Sequence, residues 1–119
     1  MKPWSAWVPA AIVAGALLAI AAHASSAHEI QHLLDYVGGS SCTFVRNGVE
    51  SDAAAARKHL ATKYRYARSR IGSAEDFIQL VASRSSMTGE PYLVRCGSSQ
   101  SLSADWLTDE LRRYREGQE

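Results

Sequence analysis

The sequence predicts a small single α+β domain, with about four helices covering a two- or three-stranded antiparallel sheet and one disulfide. Two patterns point there. Apolar residues recur at helical spacing in four separate segments, while two short stretches alternate instead, and each of these carries one of the two cysteines. Helices that outnumber strands in this way suit a layer of helices on a small sheet rather than a sandwich.

The first helix is expected over 28–37, where Ile30, Leu33, Leu34 and Val37 form one apolar stripe and Gly38-Gly39 supplies the stop. Cys42 to Val45 reads as a strand, with Cys42 and Phe44 on one face. Asn47-Gly48 tolerates positive φ at both positions and predicts a hairpin with a brief return at Val49-Glu50. Ser51 or Asp52 caps a second helix, expected from Ala53 to Arg70, with Ala53, Ala56, Leu60, Tyr64, Ala67 and Ile71 on its inner side. Ser73 caps a third, whose Glu75 and Asp76 suit its positive end and whose Phe77, Ile78 and Val81 face inward. Residues 83–89 read as a loop. Tyr92 to Cys96 is the second strand, with Tyr92, Val94 and Cys96 on one face. Gly97 to Ser101 reads as a loop, and Ser103 as the cap of a last helix with Trp106, Leu107, Leu111 and Tyr114 inward.

The N-terminus sets the expected compartment. Met1-Lys2, an uncharged run from Val8 to Ala22 and the small-x-small triplet Ala22-His23-Ala24 have the layout of a secretory signal peptide. The expected organisation is a signal peptide over 1–24 and one domain over 25–119, with cleavage after Ala24 or Ala27 and a periplasmic location. The alternative is an N-terminal membrane anchor. A span takes about 20 apolar residues, and the run from Val8 to Ala22 is fifteen long with Pro9 near its start.

Without Lys2, residues 25–119 hold twelve Lys/Arg and twelve Asp/Glu. A neutral domain has no global field to draw it to nucleic acid. An oxidising compartment would allow Cys42 and Cys96 to bond, closing a loop of 54 residues. Such a bond is worth about 4 kcal/mol in the chain-entropy model. Two free thiols are the alternative, and two isolated cysteines supply half a zinc site.

Arg57, Lys58, Lys63, Arg65, Arg68 and Arg70 give the second helix half of the domain's positive charge. They read either as a site for an anionic partner or as a solvated face paired with acids elsewhere. The loop Arg84 to Tyr92 is dense in hydroxyls and could hold an anion or a sugar. The candidate binding residues are Arg46, Asn47, Arg84, Ser85, Ser86 and Tyr92, with Arg46 expected near Arg95 if the strands pair. His28 and His32 stand at i, i+4, a metal-binding spacing, but no third ligand is evident apart from Asp35 and Glu29, and the site is near a fraying terminus. No catalytic set is expected, since no Gly-x-Ser-x-Gly or Ser-x-x-Lys motif is present. No metal site or cofactor is expected either.

Cys42-Thr-Phe-Val-Arg-Asn-Gly48, Lys58-His59-Leu60 with Lys63-Tyr64, Ala74-Glu-Asp-Phe-Ile78, Ser85-Ser86 with Gly89, and Pro91-Tyr92-Leu-Val-Arg-Cys96 resemble the YfeK-like family of small exported bacterial proteins. The resemblance implies export and one domain, and brings no activity or catalytic residues. The expected function is a small non-enzymatic binding or interaction module using loop 84–92, for an envelope protein or an anionic or glycan ligand. An inhibitor of envelope glycan hydrolases is the alternative, followed by a small hydrolase.

Overall fold

A computed structural model describes residues 25–118. The expected signal peptide lies outside the described residues. Residues 25–38 are helical (α1), and the chain continues through β1 (Thr43–Arg46), β2 (Val49–Ser51), α2 (Ala53–Ala67), a 3-10 turn (Arg68–Arg70) and α3 (Ala74–Leu80). It ends in β3 (Leu93–Cys96), β4 (Ser99–Leu102) and α4 (Ser103–Gly117). The architecture is the expected α+β arrangement. No helix among the described residues is long and apolar enough to cross a membrane.

The sheet has four antiparallel strands in the order β2-β1-β3-β4, so the expected two or three become four. The addition is β4, which occupies most of the span read as a loop. Ser99-Gln100-Ser101-Leu102 has neither apolar alternation nor β-branched residues. It is a strand because β3 presents free backbone groups and the turn returns the chain beside them. Cys96 pairs with Ser99 across Gly97-Ser98, and Gly97 takes φ 61°, the glycine-first pattern of a two-residue hairpin. The β1–β2 turn behaves as its sequence predicts, with Asn47 at φ 53° and Gly48 at φ 77°.

Asp52 caps α2, its carboxylate accepting from the Ala55 N–H at 2.9 Å. The helix ends at Ala67 and tightens into the 3-10 turn instead of running to Arg70. Ser73 caps α3, its hydroxyl accepting from the Asp76 N–H at 3.1 Å. Ser103 does not cap α4; it is the first residue of that helix, and its N–H donates to the Tyr92 carbonyl at 2.9 Å.

Strand alternation sorts the sheet into two faces. Phe44, Tyr92 and Val94 point into the core with Leu33, Val37, Leu60, Phe77, Val81, Leu107 and Leu111. Phe44 meets the Trp106 ring edge-on, and Trp106 packs on Tyr36 of α1. The other face carries Thr43, Val45, Leu93 and Leu102, with Arg95 paired to Glu50 across it at 2.7 Å. Arg46 and Arg95 therefore lie on opposite faces and do not meet, because Arg95 is opposite Thr43 and Arg46 is three positions, an odd offset, further along β1.

Cys42 and Cys96 are bonded, with Cα atoms 4.5 Å apart. The bond joins the start of β1 to the end of its neighbour β3, not to the last strand.

Candidate functional site

The hairpin turn, loop 84–92 and one edge of α2 come together at one end of the sheet. Arg84 and Pro91 form an isolated antiparallel bridge, and the Tyr92 N–H donates to the Ser83 carbonyl at 3.0 Å. These contacts close the loop at its base. Gly89, at φ 78°, lets the chain reverse, and its N–H donates to the Ser85 carbonyl at 2.9 Å.

Ser85 organises the loop from within. It is buried, and its hydroxyl oxygen accepts from Asn47 Nδ2 and from the N–H groups of Met87 and Thr88, each at 3.3 Å. The Thr88 hydroxyl donates to Asn47 Oδ1 at 2.7 Å. Asn47 thus ties the hairpin tip to the loop tip through both ends of its amide. Two of the candidate residues, Asn47 and Ser85, are spent on holding the surface together.

The third tie comes from α2. Lys63 Nζ donates to the Arg84 carbonyl and to the Tyr92 hydroxyl, each at 3.0 Å, and lies over the Tyr92 ring. His59, one turn earlier, has Nε2 3.2 Å from the same hydroxyl. Tyr92 is buried, and with His59, Phe44, Arg46, Leu60 and Ser103 it lines a cavity of about 70 Å³. Burial pushes the His59 imidazolium down in pKa, and the positive charges of Arg46 and Lys63 push it further. Sequence reasoning placed His59 and Lys63 on the basic helix without joining them to Tyr92. Their i, i+4 spacing was the available signal.

Arg46, Arg84 and Ser86 are the candidate residues left facing solvent. Arg46 and Arg84 flank the Asn47–Ser85 bond in sequence, and neither has a carboxylate partner among the described residues. Several acids are committed elsewhere. Arg57 pairs with Asp35 at 2.9 Å, and its guanidinium holds that carboxyl below its ordinary pKa. Arg115 bonds both Glu29 and Glu75. Lys58 and Arg65 face an open groove of about 540 Å³ between α1 and α2, with Asp35, Arg57 and Thr62 on its walls. His32 does not turn to His28; its Nε2 lies 2.6 Å from Glu110 Oε2 and its ring stacks on Tyr114.

Fold and site together define a disulfide-clipped α+β domain that presents a braced loop beside two exposed arginines, Arg46 and Arg84, with no carboxylate partner among the described residues. The chain belongs to a family of unknown function, DUF5329, whose model matches residues 24–115. It is 52% identical over 50 residues to a protein of Salmonella typhimurium (strain LT2) described as uncharacterized protein YfeK. That stretch covers 42% of this chain and 42% of the relative, so the chain spans less than half of the length of the curated relative it matches. No solved structure matches the chain.

Proposed function

We propose that the chain is a small non-enzymatic binding module, exported and freed of residues 1–24, that takes an anionic group at the junction of the β1–β2 turn, loop 84–92 and α2. One observation carries the reading: Arg46 and Arg84 stand exposed, without carboxylate partners among the described residues, beside a framework of bonded polar groups. Lys63 uses two of its three donors on Arg84 and Tyr92, which leaves one for a ligand. The Ser86 hydroxyl adds a neutral donor at the rim. The disulfide supports the periplasmic location, since such bonds persist in oxidising compartments.

A rigid, projecting loop also suits the envelope-inhibitor reading, in which 84–92 enters the cleft of a glycan hydrolase. Unchanged lysozyme rates in the presence of excess protein remove that reading.

The test of the module is titration of the protein with soluble inorganic polyphosphate, for wild type and for Arg46→Ala with Arg84→Ala. Both guanidiniums lie on the surface, so the variant keeps its melting temperature. The expected outcome is a roughly tenfold or greater loss of affinity, about the worth of two exposed charge contacts. Equal affinity in the two proteins sinks the proposal.

A further inference from the structure

Three side chains near this junction hold apolar surface in water. Met87, at the tip of loop 84–92, is 94% exposed, Tyr66 on α2 is 85% exposed and Val49 at the exit of the hairpin turn is 62% exposed. They belong to one rim. Val49 pairs with Arg46 across the Asn47-Gly48 turn, and Asn47 bonds the loop on either side of Met87, at Ser85 and Thr88. Tyr66 follows Lys63 by three residues on α2, hence on the same edge, and Lys63 bonds the loop at Arg84.

The backbone at Met87 is braced from within: its own N–H and that of Thr88 donate to the buried Ser85 hydroxyl. Arg46, Lys63 and Arg84 belong to the same junction; the loop's single carboxylate, Glu90, offsets one of them, and the three cations leave the junction net positive. Asp52 and Glu50 are engaged, one as the α2 cap and one with Arg95.

We propose that this rim docks on the surface of an anionic lipid bilayer, the guanidiniums meeting lipid phosphates while Met87, Val49 and Tyr66 enter the headgroup layer. The inference rests on the binding-module reading and names its partner. A soluble anion would use the cations but leave the three apolar side chains unexplained. A protein partner would call for a contiguous apolar patch with a charged rim. Here the apolar side chains are separate, they line neither the cavity at Tyr92 nor the groove between α1 and α2, and cations belong to the same junction. That is the pattern by which a protein lies on a membrane through shallow insertion and attraction to acidic lipids.

The full chain is mixed with vesicles of phosphatidylcholine alone or of phosphatidylcholine with phosphatidylglycerol, and amide hydrogen exchange is followed by peptide. Residues 1–24 are common to every arm, so the readout is local to the rim. Phosphatidylglycerol vesicles are expected to slow exchange in 84–90 and 46–49, and phosphatidylcholine vesicles are not. Arg84→Glu and Met87→Asp each weaken binding to the acidic vesicles roughly tenfold, while Leu102→Asp, on the outer sheet face, leaves it unchanged. Equal slowing by both vesicles, no slowing by the acidic ones, or slowing indifferent to both rim variants overturns the lipid assignment. Slowing by soluble polyphosphate without slowing by vesicles overturns it too, yet leaves the binding module standing. Slowing by poly-L-glutamate alone transfers the rim to an acidic protein. If no probe acts, both readings fall.

Discussion

The Tyr92 hydroxyl is where three readings of the site meet. Lys63 has only protons to give, so the phenolic oxygen accepts from it. His59 Nε2 lies 3.2 Å from the same oxygen, and its role as donor or acceptor there is set by the tautomer of the ring. Burial, then Arg46, then Lys63, oppose a charge on the ring. The folded chain holds His59 neutral below the ordinary value of 6.5, whereas the unfolded chain takes up a proton near that value. The unfolded state therefore binds more protons in that window, and stability falls as pH drops through it. Melting temperatures between about pH 7.5 and about pH 5.5 are expected to descend more steeply for wild type than for His59→Gln. Parallel slopes would mean that His59 is not held neutral by the fold.

At the scale of elements, the disulfide and the hairpins decide where the surface sits. Cys42 follows directly from the α1–β1 connection, and Cys96 ends β3, so one bond clips the two central strands of the sheet together. The bonded residues are separated by 54 positions, a loop spanning both β1–β2 and all of α2 and α3. In the chain-entropy account, closing such a loop removes about 4 kcal/mol of unfolded-state freedom. Cys42→Ala with Cys96→Ala is expected to lose that much in urea unfolding, which approaches the total stability of a small domain. A loss under about 1 kcal/mol would contradict the entropic account. The β3–β4 hairpin acts in the opposite direction. Ser99 to Leu102 is held by backbone pairing alone on one side and has an open edge on the other.

For the whole molecule, the controlling feature is how charge is shared out. The net charge of the described domain is near zero, yet the ion pairs among the described residues take up only some of its cations. Arg115 of α4 bonds both carboxylate oxygens of Glu29 on α1 and both of Glu75 on α3, at 2.7 to 3.0 Å, and so joins three helices. Its guanidinium holds Glu75 below the ordinary carboxylate range. On α2, Arg57 has a carboxylate partner, while Lys58, Lys63, Arg65 and the two arginines of the 3-10 turn have none among the described residues. The view of the basic helix as a face paired with acids elsewhere thus holds for Arg57 and not for its neighbours. Arg115→Ala is expected to cost about 1 kcal/mol, since the guanidinium and Glu75 are substantially open to solvent and are screened. The loss should shrink in high salt, as thermal melts at two ionic strengths would record; a loss unaffected by salt would mean that packing of the Arg115 stem, not the ion pairs, accounts for it.

Much of this was legible in the residues. The stripes over 28–37, at Ala56 and Leu60, at Phe77 and Ile78, and at Leu107 and Leu111 are core because helical periodicity leaves one face apolar wherever the helix lies. Asn47-Gly48 turns as it must, because its φ preference is local. Two cysteines allow one intrachain bond, and the fold makes it. By itself, then, the sequence determined what depends on neighbours along the chain: the α+β class, the turn, the helix caps at Asp52 and Ser73. It could not show β4, whose residues are indifferent to strand and become one only beside β3. Nor could it show that Ser85 and Asn47 brace the loop, that His59 and Lys63 share one hydroxyl, or which arginines are left without acids. Those facts join residues 29 to 41 positions apart, and only tertiary structure brings such distant groups within hydrogen-bonding reach.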